Sequence, residues 1–180
     1  MLAWRIAKKK FALDRTGIGA RAYGGRWNAP GVAVIYAGMT PEISAMETLM
    51  HAGDMLPADL VLVKIDLPDD ERLYFRCLVA NLPSGWDDLP GSTAAVEYGN
   101  AFINAGTHLG MIVPSVVMPE ASNIIINPNH ATFSKVGMTV IRPFEFDSRL
   151  RGGVVVLRHR NDPVFVGRNS MAIPARWSFI

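Results

Sequence analysis

The hydrophobic pattern divides the chain into short apolar runs, each bounded by glycine, proline or a capping residue. Leu2 to Ile6 reads as a first strand, and Val32 to Ala37, β-branched and closing near Tyr36, as a buried one. Between them residues 7–31 are rich in glycine and follow no period, which suits a functional loop better than a linker. Thr40-Pro41-Glu42 announces a helix. The threonine hydroxyl can cap free N–H groups, proline suits the first turn, and the acid meets the positive end of the dipole. That helix should run to about His51 and stop at Gly53, with Ile43, Met46, Leu49 and Met50 as its core-facing stripe. Leu60 to Asp66 predicts a strand that begins wholly apolar and ends alternating. Asn81 to Gly91 reads as a loop around Trp86. Ser92 or Thr93 caps a second helix to about Ala105, with Val96, Phe102 and Ile103 facing inward. Ile112 to Met118 and Asn123 to Asn127 are further strands, and Pro128-Asn129-His130 turns the chain. Thr139 to Phe146 is a last strand, which Pro143 marks as an edge or a bulge. Strands outnumber helices without alternating regularly with them, so the pattern predicts one α+β domain rather than a doubly wound sheet.

Composition narrows the class. With 180 residues, 49% hydrophobic and 19% charged, the chain is long enough to bury a core and too apolar for disorder. The longest apolar run, Leu109 to Pro119, is broken by Pro114 and is too short to span a bilayer. Lys8-Lys9-Lys10 precedes no apolar stretch, so no secretory signal is expected. Cys77 is the single cysteine, which excludes intramolecular disulfides and cysteine-based zinc sites and fits a cytoplasmic location. The net charge of +2 is unevenly placed. Residues 1–150 hold 13 Lys and Arg against 15 Asp and Glu, whereas residues 151–180 hold five Arg and one Asp. The body is therefore mildly acidic and offers no basic element to read a groove, so residues 1–150 are expected to bind neither nucleic acid nor membrane. The basic tail reads as a peripheral hairpin over Val154 to Leu157 and Pro163 to Val166, or as a non-native extension.

Four residues carry candidate chemistry. Arg26 follows Gly24 and Gly25, which let a backbone approach a ligand closely, and its guanidinium offers a planar fork for a diphosphate. A plain turn with a surface arginine would look the same. Glu47 borders the apolar stripe of its helix beside Ile43 and Met50, so it is either ion-paired with an arginine or held for chemistry. Tyr36 ends a buried strand, where its ring could stack on nicotinamide or adenine, its hydroxyl meeting water or phosphate, or could simply fill core. Ser115 is a polar atom inside an apolar run. It lacks the Gly-x-Ser-x-Gly surroundings of a hydrolase nucleophile and could bond its own backbone. Gly17-Ile18-Gly19-Ala20-Arg21-Ala22 fits a loose dinucleotide pattern but lacks the strand before and the amphipathic helix after. His51, His108, His130 and His159 are scattered, so no metal is implied.

Taken together, Arg5, Gly24-Gly25-Arg26-Trp27-Asn28, Val34 to Ala37, Ala45-Met46-Glu47, Trp86, Val113-Pro114-Ser115 and Asn127-Pro128-x-His130 resemble the RES-domain family over residues 2 to 150. Phe144 to Leu150 looks like that family's usual ending. The arginine, glutamate and serine that give the family its name fall on Arg26, Glu47 and Ser115. The resemblance implies a fold similar to ADP-ribosyltransferases, mostly antiparallel strands with flanking helices. It implies a toxin of a bacterial toxin–antitoxin pair that destroys NAD+ by hydrolysis or phosphorolysis, or transfers its ADP-ribose to a protein. NAD+ is then the substrate, no metal or true cofactor is needed, and the partner is an Xre-like helix-turn-helix antitoxin that covers the pocket. In that frame Arg26 and Glu47 are catalytic: Arg26 grips phosphate and Glu47 stabilises an oxocarbenium-like transition state. Tyr36 packs against a ring, Ser115 fixes the nicotinamide end or the ribose, and Arg5 is the cation for inorganic phosphate if phosphate is the acceptor. The acceptor, the oligomeric state and the antitoxin's identity stay open. A non-catalytic NAD-binding or interaction module is the alternative from another class. The reading requires Arg26, Tyr36, Glu47 and Ser115 to converge on one cavity of dinucleotide size.

Overall fold

The computed structural model describes residues 1–52, 57–89, 91–147 and 150. The strands β1 (Leu2–Lys8), β2 (Ile35–Gly38), β3 (Leu60–Asp66), β4 (Tyr74–Arg76), β5 (Gly110–Pro114), β6 (Ser122–Ile126) and β7 (Gly137–Phe144) form one sheet. Their order is β4-β5-β6-β2-β1-β3-β7, and every pairing is antiparallel except that of β4 with β5. With the helices α1 (Ile18–Tyr23), α2 (Pro41–His51) and α3 (Thr93–Ala105), this is the α+β architecture that the pattern predicts.

The helix starts follow their capping residues. Thr40 Oγ1 accepts from the Ile43 N–H and Ser92 Oγ from the Ala95 N–H, each satisfying one of the donors a helix start leaves free. The buried faces differ from the expected stripes. On α2 the core side is Ile43, Ser44 and Thr48, while Met50 is 62% exposed. The reason is local hydrogen bonding: Ser44 Oγ accepts from the Ile6 N–H of β1 at 3.1 Å, and Thr48 Oγ1 donates to the Ser44 carbonyl. Polar atoms so paired can be buried where methionines are not needed. On α3 the inner residues are Ala95, Gly99 and Ile103 rather than Val96. A Cβ on Gly99 would collide with the Trp27 carbonyl oxygen, so the helix rides directly on the Trp27 backbone.

Other expectations are also corrected. Residues 7–31 contain a 3-10 turn over Lys9–Phe11 and the short helix α1. The strand expected over Ile112 to Met118 ends at Pro114. A 3-10 turn (Glu71–Leu73) and β4 lie in a stretch that gave no signal. β7 is an edge strand, as Pro143 indicates. Gly53 as a stop signal and the tail hairpin lie outside the described residues.

Strand alternation sorts the core onto two faces. One face gathers Ile35, Ala37, Val63, Ile65, Ile112, Ile124 and Ile126. The other gathers Val34, Met111, Val113 and Ile125 with Trp27, Ala95 and Ile103, and Tyr36 and Trp86 pack against it. Within the sheet, the join between β1 and β2 is narrow. β1 joins β3 through seven residue pairs but joins β2 only through Trp4 and Gly38.

Candidate functional site

Paired residues share a sheet face, so Tyr36, opposite Ile125, and Asn123, opposite Gly38, alternate onto one side. α2 packs against β1, β2 and β6, which sets Glu47 above that side. Glu47 Oε1 accepts from Ser115 Oγ at 2.7 Å and from Asn123 Nδ2 at 2.6 Å. Ser115 is fully buried where the chain leaves β5, and its Oγ accepts in turn from the Val117 and Met118 N–H groups at 3.0 and 3.1 Å. A hydroxyl has one proton, and Ser115 gives it to Glu47. Ser115 therefore acts on the carboxylate, whose position it fixes.

Among the described residues no arginine forms an ion pair with Glu47. Its second oxygen, Oε2, lies 3.8 Å from His51 Nε2, one helical turn onward. His51 is held below its ordinary pKa, first by desolvation and also by the Arg26 charge, against the opposing pull of Glu47. The carboxylate is therefore fixed at one oxygen and faces a largely neutral imidazole at the other.

Arg26 stands on a tight turn closed by Gly25 and Asn28. Gly24 sits at φ +76°, a conformation that favours glycine, and a Cβ on Gly25 would meet the Tyr36 hydroxyl at 2.5 Å. Asn28 is buried and ties the turn down, its Nδ2 donating to the Ala20 and Val32 carbonyls at 2.9 Å each. The half-buried Arg26 guanidinium donates through Nη1 to the Trp86 and Asp88 carbonyls at 3.0 Å each. Trp86 stacks on Trp27, ring centres 5.9 Å apart, so the two loops lock through rings as well as through the guanidinium. With both Nη1 protons committed, the donors on Nε and Nη2 are the ones Arg26 can present to an anion. Desolvation lowers its pKa, and Glu47 is the first of the acids opposing that shift, ahead of Asp87 and Asp88.

Tyr36 does not keep its hydroxyl for a ligand. It donates to Asn28 Oδ1 at 2.7 Å and accepts from the Trp27 N–H at 3.0 Å. Burial raises its pKa far above the ordinary value, outweighing the Trp27 hydrogen bond and the Arg26 charge, so the group stays a phenol. Its ring packs against the second face of the core.

The fold therefore brings Arg26, Tyr36, Glu47 and Ser115 into one neighbourhood. Asn123 and His51 belong to it too. Strand alternation could have found Asn123, and helix arithmetic from Glu47 could have found His51. Arg5 stands apart, its Cα on the sheet face of Val63 and Ile65. A pocket of about 10 Å³ lies against Arg5, Asp14, Gly17, Gly19, Ala20, Val34, Ile35 and Tyr36. That space is far smaller than a dinucleotide and includes neither Arg26, Glu47 nor Ser115. Among the described residues no group of His, Cys, Asp and Glu could hold a metal ion, and no helix is long and apolar enough to cross a membrane.

The family model described as RES domain matches residues 2–147. The chain is 34% identical over 152 residues to the Prs ADP-ribosylating toxin of Sphingobium sp., covering 82% of this chain and 94% of that protein. It is 33% identical over 153 residues to Toxin Res of Photorhabdus laumondii subsp. laumondii, covering 83% and 97%. Among solved structures, the crystal structure of the M. tuberculosis MbcT–MbcA toxin–antitoxin complex contains a chain of similar fold. The TM-score is 0.61 at 17% identity, covering 78% of this chain and 83% of that one.

Proposed function

This chain belongs to the RES-domain family, and from that premise we propose that it is the toxin of a toxin–antitoxin pair that consumes NAD+ by breaking the ribose–nicotinamide bond. The observation that carries the reading is the Glu47 carboxylate, pinned at Oε1 by Ser115 and Asn123 and sharing its surroundings with Arg26.

The chemistry asks little of an acid catalyst. The bond from ribose C1′ to the nicotinamide nitrogen breaks with its electron pair leaving on a neutral nicotinamide. Positive charge develops across C1′ and the ring oxygen, as in glycoside cleavage. Glu47 Oε2 answers that charge and accepts from a ribose hydroxyl, and because Oε1 is already fixed, no reorganisation is needed as charge develops. Arg26 holds a phosphate through Nε and Nη2 and keeps the dinucleotide in a reactive pose. The Tyr36 ring supplies a flat apolar wall. An acceptor oxygen then bonds to C1′ and gives up its proton to solvent.

Nicotinamide release from NAD+ by the purified protein tests the proposal. Release that Glu47→Gln lowers by about 10²–10³-fold is the expected result, and equal rates in both proteins would overturn it. A second reading, transfer of ADP-ribose to a protein, is favoured by the name of the Sphingobium relative. Labelled NAD+ in a lysate separates the two: free ADP-ribose or its phosphorylated form marks NAD+ destruction, and a discrete labelled protein marks transfer. The partner that fits this reading is an Xre-like antitoxin, with the cytoplasm as the place where toxin and NAD+ meet. Growth arrest on expression without antitoxin, relieved by Glu47→Gln, is the corresponding cellular result.

A further inference from the structure

We propose that His51 and Glu47 Oε2 together seat the water that accepts the ADP-ribose, with His51 as the base that takes its proton.

The seat follows from helix geometry. Residues four apart on α2 stand one above the other, so His51 carries its ring beside the Glu47 carboxylate. Nε2 lies 3.8 Å from Oε2, which is beyond hydrogen-bond length. Oε1 is not free to turn toward the ring, because Ser115 and Asn123 already donate there. In the Nδ1–H tautomer of His51, Nε2 and Oε2 are two acceptors facing one small space. A molecule that bridges them must supply two donors, and water does. Oε2 keeps a second lone pair for the ribose hydroxyl.

The surrounding charges favour the same ligand. The electrostatic neighbours of His51 are Glu47 and Arg26. Those of Arg26 are the acids Glu47, Asp87 and Asp88 and the Tyr36 phenol. In the NAD+ reading, on which this proposal rests, Arg26 is taken by a phosphate of the dinucleotide. A second anion would then face a carboxylate with no cation of its own among these neighbours. Neutral water meets no such penalty.

The imidazole suits a base that must both take and release a proton. Desolvation and the Arg26 charge hold it below its ordinary pKa, so near neutral pH it has a lone pair to offer. Its place in the last turn of α2, where the helix dipole favours a cation, and the facing Glu47 carboxylate stabilise the imidazolium once it forms. The electrons and protons then balance. Nicotinamide leaves with the electron pair of its bond to C1′, a lone pair of the water oxygen bonds to C1′, and one water proton passes to Nε2. Oε2, having met positive charge on the ribose, meets it next on the imidazolium. The ring is 42% exposed, which lets it hand the proton on to solvent.

Steady-state NAD+ cleavage by the wild type, His51→Ala and His51→Gln tests this. Both variants should lose about 10²-fold in kcat with little change in KM, and both should melt close to the wild type. The wild-type kcat should fall as pH drops through the His51 pKa, and that acid limb should be missing from both variants. Imidazole added to His51→Ala should restore turnover. Substituted imidazoles should do so in order of their basicity, a dependence that merely refilling the space would not produce. The product should be free ADP-ribose, formed at the same rate with or without inorganic phosphate. Wild-type kcat in the variants, an acid limb that persists in them, or rescue indifferent to basicity overturns the proposal while Glu47-dependent cleavage of NAD+ still stands. Phosphorylated ADP-ribose or a labelled protein as the main product overturns it too, by replacing water as the acceptor. No cleavage of NAD+ by the wild type overturns this proposal and the NAD+ reading together.

Discussion

Glu47, on a helix against the sheet, and Arg5, on a strand within it, are both largely enclosed charged side chains, and the protein treats them in opposite ways. The Glu47 carboxylate has donors from two different segments on a single oxygen, and the serine among them is itself fixed by two backbone N–H groups. The Arg5 guanidinium is more deeply enclosed, yet two of its nitrogens meet nothing. Full pairing fixes a group in one geometry, which suits an atom that must meet developing charge without moving. Incomplete pairing leaves a buried charge at a cost in stability. The contrast separates a group fixed in position from one left with unmet donors.

The strongest way to break this contrast is at Glu47. Glu47→Gln keeps the acceptor oxygen for Ser115 and Asn123 while removing the charge, so nicotinamide release should fall by about 10²–10³-fold with the melting temperature nearly unchanged. Steady-state kinetics with a parallel melting curve checks both halves. Ser115→Ala should act on position and stability together. It removes a donor to Glu47 and leaves the Val117 and Met118 N–H groups without their acceptor, at a cost of about 1–3 kcal/mol in denaturant unfolding. Its activity loss should appear in kcat rather than KM, because the carboxylate is still present but no longer aimed. Asn123→Ala, which strands no backbone group, should show a similar kcat effect with a smaller loss of stability.

The smallest expected effect sharpens the comparison from the free side of Glu47. His51 has a pKa below its ordinary value, chiefly through desolvation, so the unfolded chain takes up its proton first as pH falls. Its contribution to stability is present above about pH 6.5 and is lost as pH drops through the lower folded value. At 42% exposure the change is slight. Urea midpoints of wild type and His51→Gln should run parallel above that range and converge or cross below it, the wild type showing the steeper acid loss. In the same range protonated His51 pairs with Oε2, so the activity of the wild type should fall with acid while that of His51→Gln stays flatter.

How much of this could be read from the residues follows from how local each cause is. The start of α2 was legible because Thr40, Pro41 and Glu42 act within one turn, and β3 because the β-branched Val61, Val63 and Ile65 recur at every second position. β4, three residues long and mostly exposed, leaves no such trace. The inner face of α2 was misread because Ser44 and Thr48 are buried through hydrogen bonds, one of them to a strand 38 residues away. The family residues Arg26, Tyr36, Glu47 and Ser115 were legible as a set, but their duties were not. That Ser115 serves Glu47, that Tyr36 holds the Trp27–Asn28 turn, and that Arg26 anchors a distant loop all depend on partners 8 to 68 positions off.

The single rung joining β1 to β2 has a mechanical consequence. On one side lie β2, β6, β5 and β4, and on the other β1, β3 and β7, so the sheet is two panels creased along one line. Helix α2 straddles that fold as a strap, touching β1 as well as β2 and β6. Force applied across the crease should part the panels there before any other strand pair yields, and Ser44 is the stitch whose removal would loosen it first.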